Sequence, residues 1–347
     1  MNWLLRLLRR VLRSLRFIKF PFAFLIGRLR SRRQILSVWP QERPALGPRI
    51  VLFMHFDGKG GVRQQVLHYL RDFKANDREI VFVTNSGRLH PEALAALQEL
   101  CAIVLIRRNI GYDFGAWADA LDYLGLPLDN TQEVIFANDS VFGPLLPLKE
   151  TLQRLDYTQA DIWGLTESWQ QRYHLQSFFM AFGTRALRAP GFAAFWGRVR
   201  PVPMKSYIVK EYEVGVTQAM IKGGLRCTAL WPYEQLTAMA GQALINLLEE
   251  DVSAEDEQED PVQKMRLTQL LRIRIDMARR VPMNPTSDLW RQLLQAGFPF
   301  IKRELLRENP TGVNDISEWA DIVREELGAD PDPVRWELRL MLKGKSP

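Results

Sequence analysis

Residues 49–56 read RIVLFMHF, a continuous apolar run of the kind that forms a strand buried on both faces of a sheet. Further apolar runs follow at residues 79–84, 101–106 and 133–137, with a shorter one at residues 162–165. Segments with helical spacing separate these runs, at residues 62–73, 91–100 and 116–124. Strands that alternate with helices in this way predict an α/β fold, with a mostly parallel sheet and helices on both faces.

The composition is that of an ordinary globular protein. Of the 347 residues, 47% are hydrophobic and 25% are charged. These values exclude a disordered chain, a collagen-like repeat and a disulfide scaffold. The two cysteines, Cys101 and Cys227, cannot build a zinc site alone and indicate a reducing compartment.

The first 40 residues form a basic arm. They hold ten of the 46 Lys and Arg residues and none of the 40 Asp and Glu residues, so the net charge of +6 belongs to this arm. Leu4, Leu8 and Val11 begin an apolar stripe at helical spacing, and arginines fall largely on the opposite face. Because arginines interrupt every apolar run, we expect no transmembrane span. The pattern favours an amphipathic helix within residues 1–34 on an anionic membrane surface, and the alternatives are a packed helix and an RNA-binding arm.

Changes in composition divide the chain into three parts. Residues 1–46 are the arm and a proline-containing linker, residues 47–240 are the α/β domain, and residues 241–347 are an acidic linker followed by a helical region. The acidic run at residues 249–260 is interpreted as a solvated loop and not as a metal site. Beyond the arm the chain carries more acidic than basic residues, so we expect no nucleic-acid partner.

Polar side chains gather where the predicted strands end. The clusters are HFD at residues 55–57, NS at residues 85–86, NIGYD at residues 109–113 and NDS at residues 138–140. In parallel α/β sheets, ligands bind beyond the carboxyl ends of the strands. The sequence therefore predicts the functional site at this edge of the sheet.

Each candidate motif also has a purely structural interpretation. The loop DGKGG at residues 57–61 either brings backbone N–H groups to a phosphate or forms a tight turn. Asp139 either holds a divalent cation against a diphosphate or stabilises an Asx turn. Glu211 and Glu213 stand at the start of a predicted helix, as a general base or as partners of the helix dipole. His174, beside an apolar run, is either a ligand or a structural residue.

Six segments together resemble one known family. They are HFD (55–57), RRNIGYDFGAW (107–117), VIFANDSVFGPL (134–145), YHLQSFFMAF (173–182), KEYEVGVTQAM (210–220) and NPTSDLWRQLLQAGFPFIKRELLRENP (284–310). In this order they resemble the rhamnan synthesis protein F family of bacterial polysaccharide glycosyltransferases. The two most specific segments are NDSVFGP and PFIKRELL.

The resemblance implies a GT-A-like fold and a nucleotide-sugar transferase. The family acts typically in rhamnose-containing O-antigen, lipopolysaccharide or cell-wall polysaccharide synthesis. In GT-A enzymes, a D-x-D motif after a central strand holds a divalent cation, Mg²⁺ or Mn²⁺, on the donor diphosphate. Asn138, Asp139 and Ser140 take that place here with a single carboxylate, and His174 is a candidate further ligand.

The resemblance also assigns the remaining roles. Counting back from Gly224 aligns Glu213 with the general base of related transferases and leaves Glu211 as the second choice. Asn109 and Gly111 match a turn that lines the donor site in GT-A enzymes. The complete predicted donor site comprises His55, Asp57, Asn109, Gly111, Asp113, Asn138, Asp139 and Ser140.

Two functions are consistent with these residues. The first is an inverting glycosyltransferase, peripheral on the cytoplasmic face of the bacterial inner membrane, that acts on a lipid-linked or polysaccharide acceptor. The second is a non-catalytic, membrane-associated partner of polysaccharide assembly machinery, which the incomplete D-x-D motif favours. Binding of a nucleotide diphosphate with and without Mg²⁺ or Mn²⁺ separates the two.

Overall fold

A computed structural model of the chain describes residues 34–253 and 261–343, together with residues 25 and 27. The predicted amphipathic arm, residues 1–34, lies almost entirely outside the described residues. Within the described ranges, no helix combines the length and the hydrophobicity that crossing a bilayer requires.

The described strands form one large mixed sheet and one two-stranded ribbon. They are β1 (Ile35–Trp39), β2 (Arg49–His55), β3 (Glu79–Thr84), β4 (Ile103–Arg107), β5 (Glu133–Asn138), β6 (Val141–Phe142), β7 (Ile162–Ser168), β8 (His174–Leu175), β9 (Phe179–Gly183), β10 (Cys227–Trp231) and β11 (Ile301–Lys302). The order in the large sheet is β1-β4-β3-β2-β5-β9-β7-β10, with β8 paired to β7. β2, β3, β4, β5, β7 and β10 all run in one direction, whereas β1 and β9 run against them. This confirms the predicted mostly parallel sheet.

Helices cover both faces of the sheet and make up most of the C-terminal region. The described helices are α1 (Gln64–Ala75), α2 (Pro91–Leu100), α3 (Tyr112–Leu124), α4 (Leu148–Gln153), α5 (Thr184–Arg188), α6 (Pro190–Arg198), α7 (Lys205–Tyr207), α8 (Val214–Lys222), α9 (Tyr233–Ser253), α10 (Pro261–Ala278), α11 (Pro285–Asp288), α12 (Trp290–Gln295), α13 (Arg303–Glu308), α14 (Trp319–Glu325) and α15 (Asp332–Leu342).

The central strands are apolar throughout because both of their faces are covered. On β2, Val51 and Phe53 join a core with Tyr69 of α1, whereas Ile50 and Leu52 join a separate core on the other face. Trp117 of α3 lies in that second core, and its Nε1 donates a hydrogen bond to the Leu52 carbonyl at 3.0 Å. Alternate residues of one strand thus anchor helices on opposite faces.

The C-terminal region has a small core of its own and is joined to the α/β domain by the ribbon. β11 pairs antiparallel with β6, and the N–H of Arg303 donates to the Ser140 carbonyl at 3.0 Å. Phe142 of β6 packs in a cluster with Trp290 and Trp319 of the C-terminal region. The ribbon therefore fixes the residues after β11 directly beside the end of β5.

Three strands of five residues each differ from the sequence-based expectation. Residues 35–39 are expected in the arm and linker, but they form β1 and extend the sheet beside β4. The edge of β4 has free hydrogen-bonding groups that an apolar extended segment can pair with. The sequence also does not predict β9 or β10. β9 is the reversed strand between β5 and β7, and its direction places the preceding loop at the carboxyl edge of the sheet.

Candidate active site

The carboxyl ends of three neighbouring parallel strands meet at one edge of the sheet. His55 ends β2, Thr84 ends β3 and Asn138 ends β5. A cavity of about 610 Å³ opens there. Its walls include Asp57, Arg63, Asp139 and Ser140 from the α/β domain and Lys302 and Arg303 from the C-terminal region.

The Asn-Asp-Ser segment forms a hydrogen-bonded turn directly after β5. Asn138 Oδ1 accepts hydrogen bonds from the N–H of Ser140 at 3.0 Å and from its Oγ at 2.6 Å. Asn138 Nδ2 donates to the Asp113 carboxylate at 2.7 Å. The Asx turn considered from the sequence is therefore present, but Asn138 makes it, which leaves the Asp139 side chain at the cavity wall.

The C-terminal region delivers an ammonium group to this turn. Lys302 Nζ donates to Ser140 Oγ at 2.9 Å and lies 4.7 Å from the centre of the Phe178 ring. Burial lowers the pKa of Lys302, while the charges of Glu213 and Asp113 act to raise it. Lys302 therefore stands among the carboxylates of the site, and its charge partly balances theirs.

Arg303 follows on the same segment and bridges two carboxylates. Its Nη1 lies 3.2 Å from Asp139 Oδ2, and its Nη2 lies 3.4 Å from Glu337 Oε1 on α15. Arg63 also approaches Glu337, at 4.0 Å, and Asp57, at 3.9 Å. Two arginines and three carboxylates thus alternate around one side of the cavity.

The structure brings Glu213 to the site and leaves Glu211 outside it. Glu213 ends a π-helical turn, Ile208–Glu213, of the kind often found at functional sites. Glu213 Oε1 accepts hydrogen bonds from the N–H and the Oγ of Ser177, at 3.0 and 2.9 Å. The Glu211 side chain is 44% exposed and pairs with Lys210 at 3.5 Å. The geometry therefore favours Glu213 as the general base, and that role stays a prediction.

Asp113 is a carboxylate of the site whose pKa is raised. Burial raises its pKa most, and the negative charge of Asp139 raises it further. The net result of the raising and lowering effects is a pKa of about 7. The hydrogen bond from Asn138 and the charge of Lys302 act in the opposite direction. The site thus gains a negative charge as the pH rises through neutrality.

The predicted donor-site turn is built on a buried arginine. Arg107 is fully buried and ion-paired with Asp119 of α3 at 2.6 Å, and its Nη1 donates to the Ile110 carbonyl at 3.4 Å. Gly111 has a φ of 85°, in the left-handed region that favours glycine, and it directly precedes α3. Arg107 therefore fixes the shape of the turn, while the exposed Asn109 is free of the core.

His55 and the loop after it are held by contacts within the protein. His55 is 1% exposed, its Nδ1 lies 3.1 Å from Thr84 Oγ1, and burial lowers its pKa. Asp57 Oδ1 accepts hydrogen bonds from the N–H groups of Lys59 and Gly61, at 2.8 and 3.2 Å. These N–H groups are used inside the loop, so the loop is the tight turn and does not present them to a phosphate. Asp57 itself still lines the cavity.

His174 does not join a metal-binding cluster. It begins β8, and its Nδ1 lies 2.8 Å from the Arg172 carbonyl oxygen. Within residues 34–253 and 261–343, no group of three His, Cys, Asp or Glu side chains is arranged to hold a metal ion. The pairing of Asp139 with Arg303 is a physical reason for the absence of such a group at this turn, because a guanidinium already lies beside that carboxylate. The divalent cation stays a prediction.

Lys302, Arg303 and Glu337, together with Arg63 and Ser177, are site residues that the sequence does not identify. Lys302 and Arg303 stand in PFIKRELL, which carries the family resemblance but has no motif tied to a chemical role. Their contacts with residues 139 and 140 span more than 160 positions of sequence. The one available signal is the pair of adjacent basic residues directly after an apolar segment.

Comparison with known proteins agrees with this picture. The model of the family described as rhamnan synthesis protein F matches residues 80–248. A relative named virulence protein VirA, from Vibrio anguillarum, is 30% identical, and the match covers 70% of this chain and 73% of the relative. The chain belongs to the rhamnan synthesis protein F family. An uncharacterised protein of Sinorhizobium fredii, y4gN, is 24% identical over 51% of this chain and 47% of its own length.

Solved structures resemble the chain more distantly. Residues 1–349 of TarS from S. aureus share 12% identity with a TM-score of 0.35, and the match covers 86% of this chain and 92% of that one. The galactosyltransferase LgtC shares 10% identity with a TM-score of 0.31, over 63% of this chain and 82% of that one. The mostly parallel sheet described above confirms the α/β fold class, and family membership agrees with it. They support a sugar transferase.

Proposed function

We propose that this protein of the rhamnan synthesis protein F family transfers a sugar, with inversion, from a nucleotide diphosphate donor to a growing cell-surface polysaccharide. The observation that carries the proposal is that three carboxylates and a lysine lie together at the carboxyl edge of the sheet. Glu213, Asp113 and Asp139 gather there around Lys302, beside a cavity of about 610 Å³. Burial raises the pKa of Asp113 and lowers that of Lys302, and ionisable groups with such shifts beside a cavity are typical of catalytic sites.

The reaction follows from the position of Glu213. The acceptor hydroxyl oxygen attacks the anomeric carbon from the side opposite the diphosphate, and Glu213 takes the hydroxyl proton. A new carbon–oxygen bond forms as the bond to the diphosphate breaks, and the electron pair leaves with the nucleoside diphosphate. The two hydrogen bonds from Ser177 both fall on Oε1 of Glu213. No described residue donates a hydrogen bond to Oε2, and Oε2 is therefore the oxygen that would accept the proton.

The remaining predicted residues are assigned to binding the nucleotide-sugar donor. Asp57 lines the cavity, and the turn before Asp113 contains the exposed Asn109 and the buried Gly111. These groups would position the base, ribose or sugar of the donor. His55 is buried and would act only through its contact with Thr84. Rhamnose as the transferred sugar rests on the name of the family.

Turnover of a panel of nucleotide sugars tests this function. Purified protein is incubated with uridine, guanosine and thymidine diphosphate sugars, with and without a lipid-linked acceptor, in buffers with Mg²⁺, Mn²⁺ or EDTA. We expect release of the nucleoside diphosphate from one donor, and NMR of the product should show inversion at the anomeric carbon. Binding of a donor without turnover under every condition would instead support the non-catalytic partner of polysaccharide assembly.

We propose that the basic arm holds the enzyme at the cytoplasmic face of the inner membrane, as a peripheral protein. The arm's charge supports this, because each basic residue near an anionic surface contributes about 1 kcal/mol. Membranes from cells that express the full chain should release most of it in high salt or alkaline carbonate. A chain in which the arginines of residues 1–34 are changed to glutamine should stay in the supernatant. Retention of the full chain in the pellet under both treatments would contradict a peripheral arm.

A further inference from the structure

Three of the side-chain oxygens that a D-x-D cation site would use are already paired in this chain. Asn138 Oδ1 accepts two hydrogen bonds from Ser140, and Ser140 Oγ accepts one from Lys302. Asp139 Oδ2 lies 3.2 Å from Arg303 Nη1. A divalent cation needs several oxygen ligands that are free to coordinate it. The residues present therefore do not fit a divalent cation at this turn.

Cationic side chains stand where the charge of a metal ion would otherwise be needed. Lys302 is not a flexible surface lysine, because β11 is paired with β6 and its ammonium packs against the Phe178 ring. An ammonium group has three N–H donors, and Ser140 accepts one of them. The remaining donors are available to a ligand that enters the cavity, which Lys302 lines.

Arg303 has a donor that the protein does not satisfy. Its Nη atoms face Asp139 and Glu337, but its Nε is buried and has no hydrogen-bond partner among the described residues. Arg63, on the same cavity wall, has a buried Nη1 in the same condition. Buried donors without partners are rare and call for an explanation, of which an absent ligand is one.

The cavity is basic overall. Six of its lining side chains are Lys or Arg, and four are Asp or Glu. A site with a net positive charge attracts an anionic ligand and disfavours a second cation. Arginine and lysine beside each other are a common arrangement for binding phosphate groups, since the guanidinium donates in a fork and the ammonium acts as a point charge.

We propose that Lys302 and Arg303 bind the diphosphate of the donor in place of a divalent cation, so that the C-terminal region completes the active site. This inference rests on the proposed function and adds to it the group that stabilises the leaving diphosphate. When the anomeric bond breaks, the electron pair stays on the diphosphate oxygen, and the two cationic side chains balance the charge that develops there. Asp139 then acts as a positioning residue, which holds the Arg303 guanidinium at the cavity wall.

Binding of nucleoside diphosphates and of inorganic pyrophosphate in EDTA tests the proposal. Calorimetric titrations with UDP, GDP and dTDP in EDTA, and again with Mg²⁺ or Mn²⁺, should give dissociation constants within about threefold of each other for the nucleotide that binds. Lys302→Met should weaken that binding about ten- to hundredfold in EDTA, the usual effect of losing a charge-assisted hydrogen bond. Arg303→Gln should do the same.

Matched variants separate charge at this site from charge in general and from folding. Lys149→Met removes one exposed charge at the opposite edge of the sheet and should leave binding unchanged. Lys302→Arg and Arg303→Lys keep the charge and should retain most of the binding in EDTA. Thermal unfolding of every variant identifies any that fails to fold. If Lys302→Met or Arg303→Gln does not fold, the binding of the charge-conserving variants is compared with that of the wild type.

Three results would overturn the proposal. If the nucleotide binds only with Mg²⁺ or Mn²⁺, a cation holds the diphosphate in place of Lys302 and Arg303. The transferase function would still stand. If binding in EDTA is unchanged in folded Lys302→Met and Arg303→Gln proteins, the diphosphate lies elsewhere. If no nucleoside diphosphate or pyrophosphate binds in any buffer, the proposed function fails and this inference fails with it.

Discussion

The carboxyl and amino edges of the central sheet each carry a cavity and buried charges, but the charges are arranged differently. At the amino edge, beside a cavity of about 990 Å³, Glu133 accepts hydrogen bonds from Arg78 at 3.0 Å and from Tyr157 at 2.8 Å. At the carboxyl edge the cavity is smaller, yet Asp113 has a pKa near 7 and Arg303 has an unsatisfied donor. Both oxygens of Glu133 at the larger cavity thus have partners, whereas at the smaller one Asp113 has a raised pKa and Arg303 Nε has no partner among the described residues.

This difference indicates which edge is built for a ligand. A buried ion pair with all its partners in place contributes to the structure itself. Charges that repel one another or lack a partner cost stability, and such costs are typical of functional sites. Cavity volume alone would have selected the amino edge. The contrast predicts that variants at the carboxyl edge change turnover, whereas variants at the amino edge change stability.

The largest effect on turnover should come from Glu213→Gln. The substitution keeps the size of the side chain and removes the proton acceptor, so we expect kcat to fall about 10²- to 10⁴-fold. Donor affinity should change little, because the lost interaction belongs to the transition state. Initial rates with the donor identified by the panel, together with direct binding, measure both quantities. The exposed Glu211→Gln is the matched control and should keep nearly full turnover. An active Glu213→Gln beside an inactive Glu211→Gln would reverse the assignment.

At the amino edge, Glu133→Gln should reduce stability and leave catalysis intact. The change leaves the Arg78 guanidinium without its carboxylate, and breaking a buried pair in this way costs about 3–5 kcal/mol. Urea unfolding should show this loss, while kcat and KM measured well below the unfolding range stay unchanged. Lys149→Met, on the same edge but exposed, should change neither quantity. A folded Glu133→Gln protein with greatly reduced turnover would show that the two edges are not separate in function.

Asp113→Asn should change how stability depends on pH. The folded-state pKa of about 7 lies above the usual value of 3.8, so between these values the folded protein holds a proton that the unfolded chain has released. Stability contributed by this group is therefore full below about pH 4 and is lost as the pH rises to about 7. The asparagine variant lacks this loss and should be more stable than the wild type at pH 8, by on the order of 2–4 kcal/mol. Equal differences at pH 5 and pH 8 would show that the Asp113 proton is not the cause.

The smallest of these effects should come from Asp139→Asn. Asparagine still accepts a hydrogen bond from Arg303 but removes the charge that holds the guanidinium at the cavity wall. We expect turnover to fall about tenfold, equivalent to roughly 1.4 kcal/mol, in EDTA as well as in Mg²⁺. A loss seen only in the presence of Mg²⁺ or Mn²⁺ would instead mark Asp139 as a metal ligand.

Local sequence patterns predicted those residues of the site that directly follow strands. Asp57, Asn138, Asp139 and Ser140 each come just after an apolar run, and parallel strands bring such positions to one edge. The choice between Glu211 and Glu213 depends on two residues of register within a π-helical turn, which a helical pattern of 3.6 residues cannot resolve.

The amino-acid sequence alone determined the α/β class, the parallel strands and the edge at which the site lies, because each follows from local apolar patterns and from the direction of the chain. Only the tertiary structure decided which charges meet there. Lys302 and Arg303 reach Ser140 and Asp139 through the pairing of β11 with β6, and the reversed β9 brings Ser177 to Glu213. Contacts between residues so far apart in sequence depend on strand pairing and side-chain packing, for which the local pattern carries no signal.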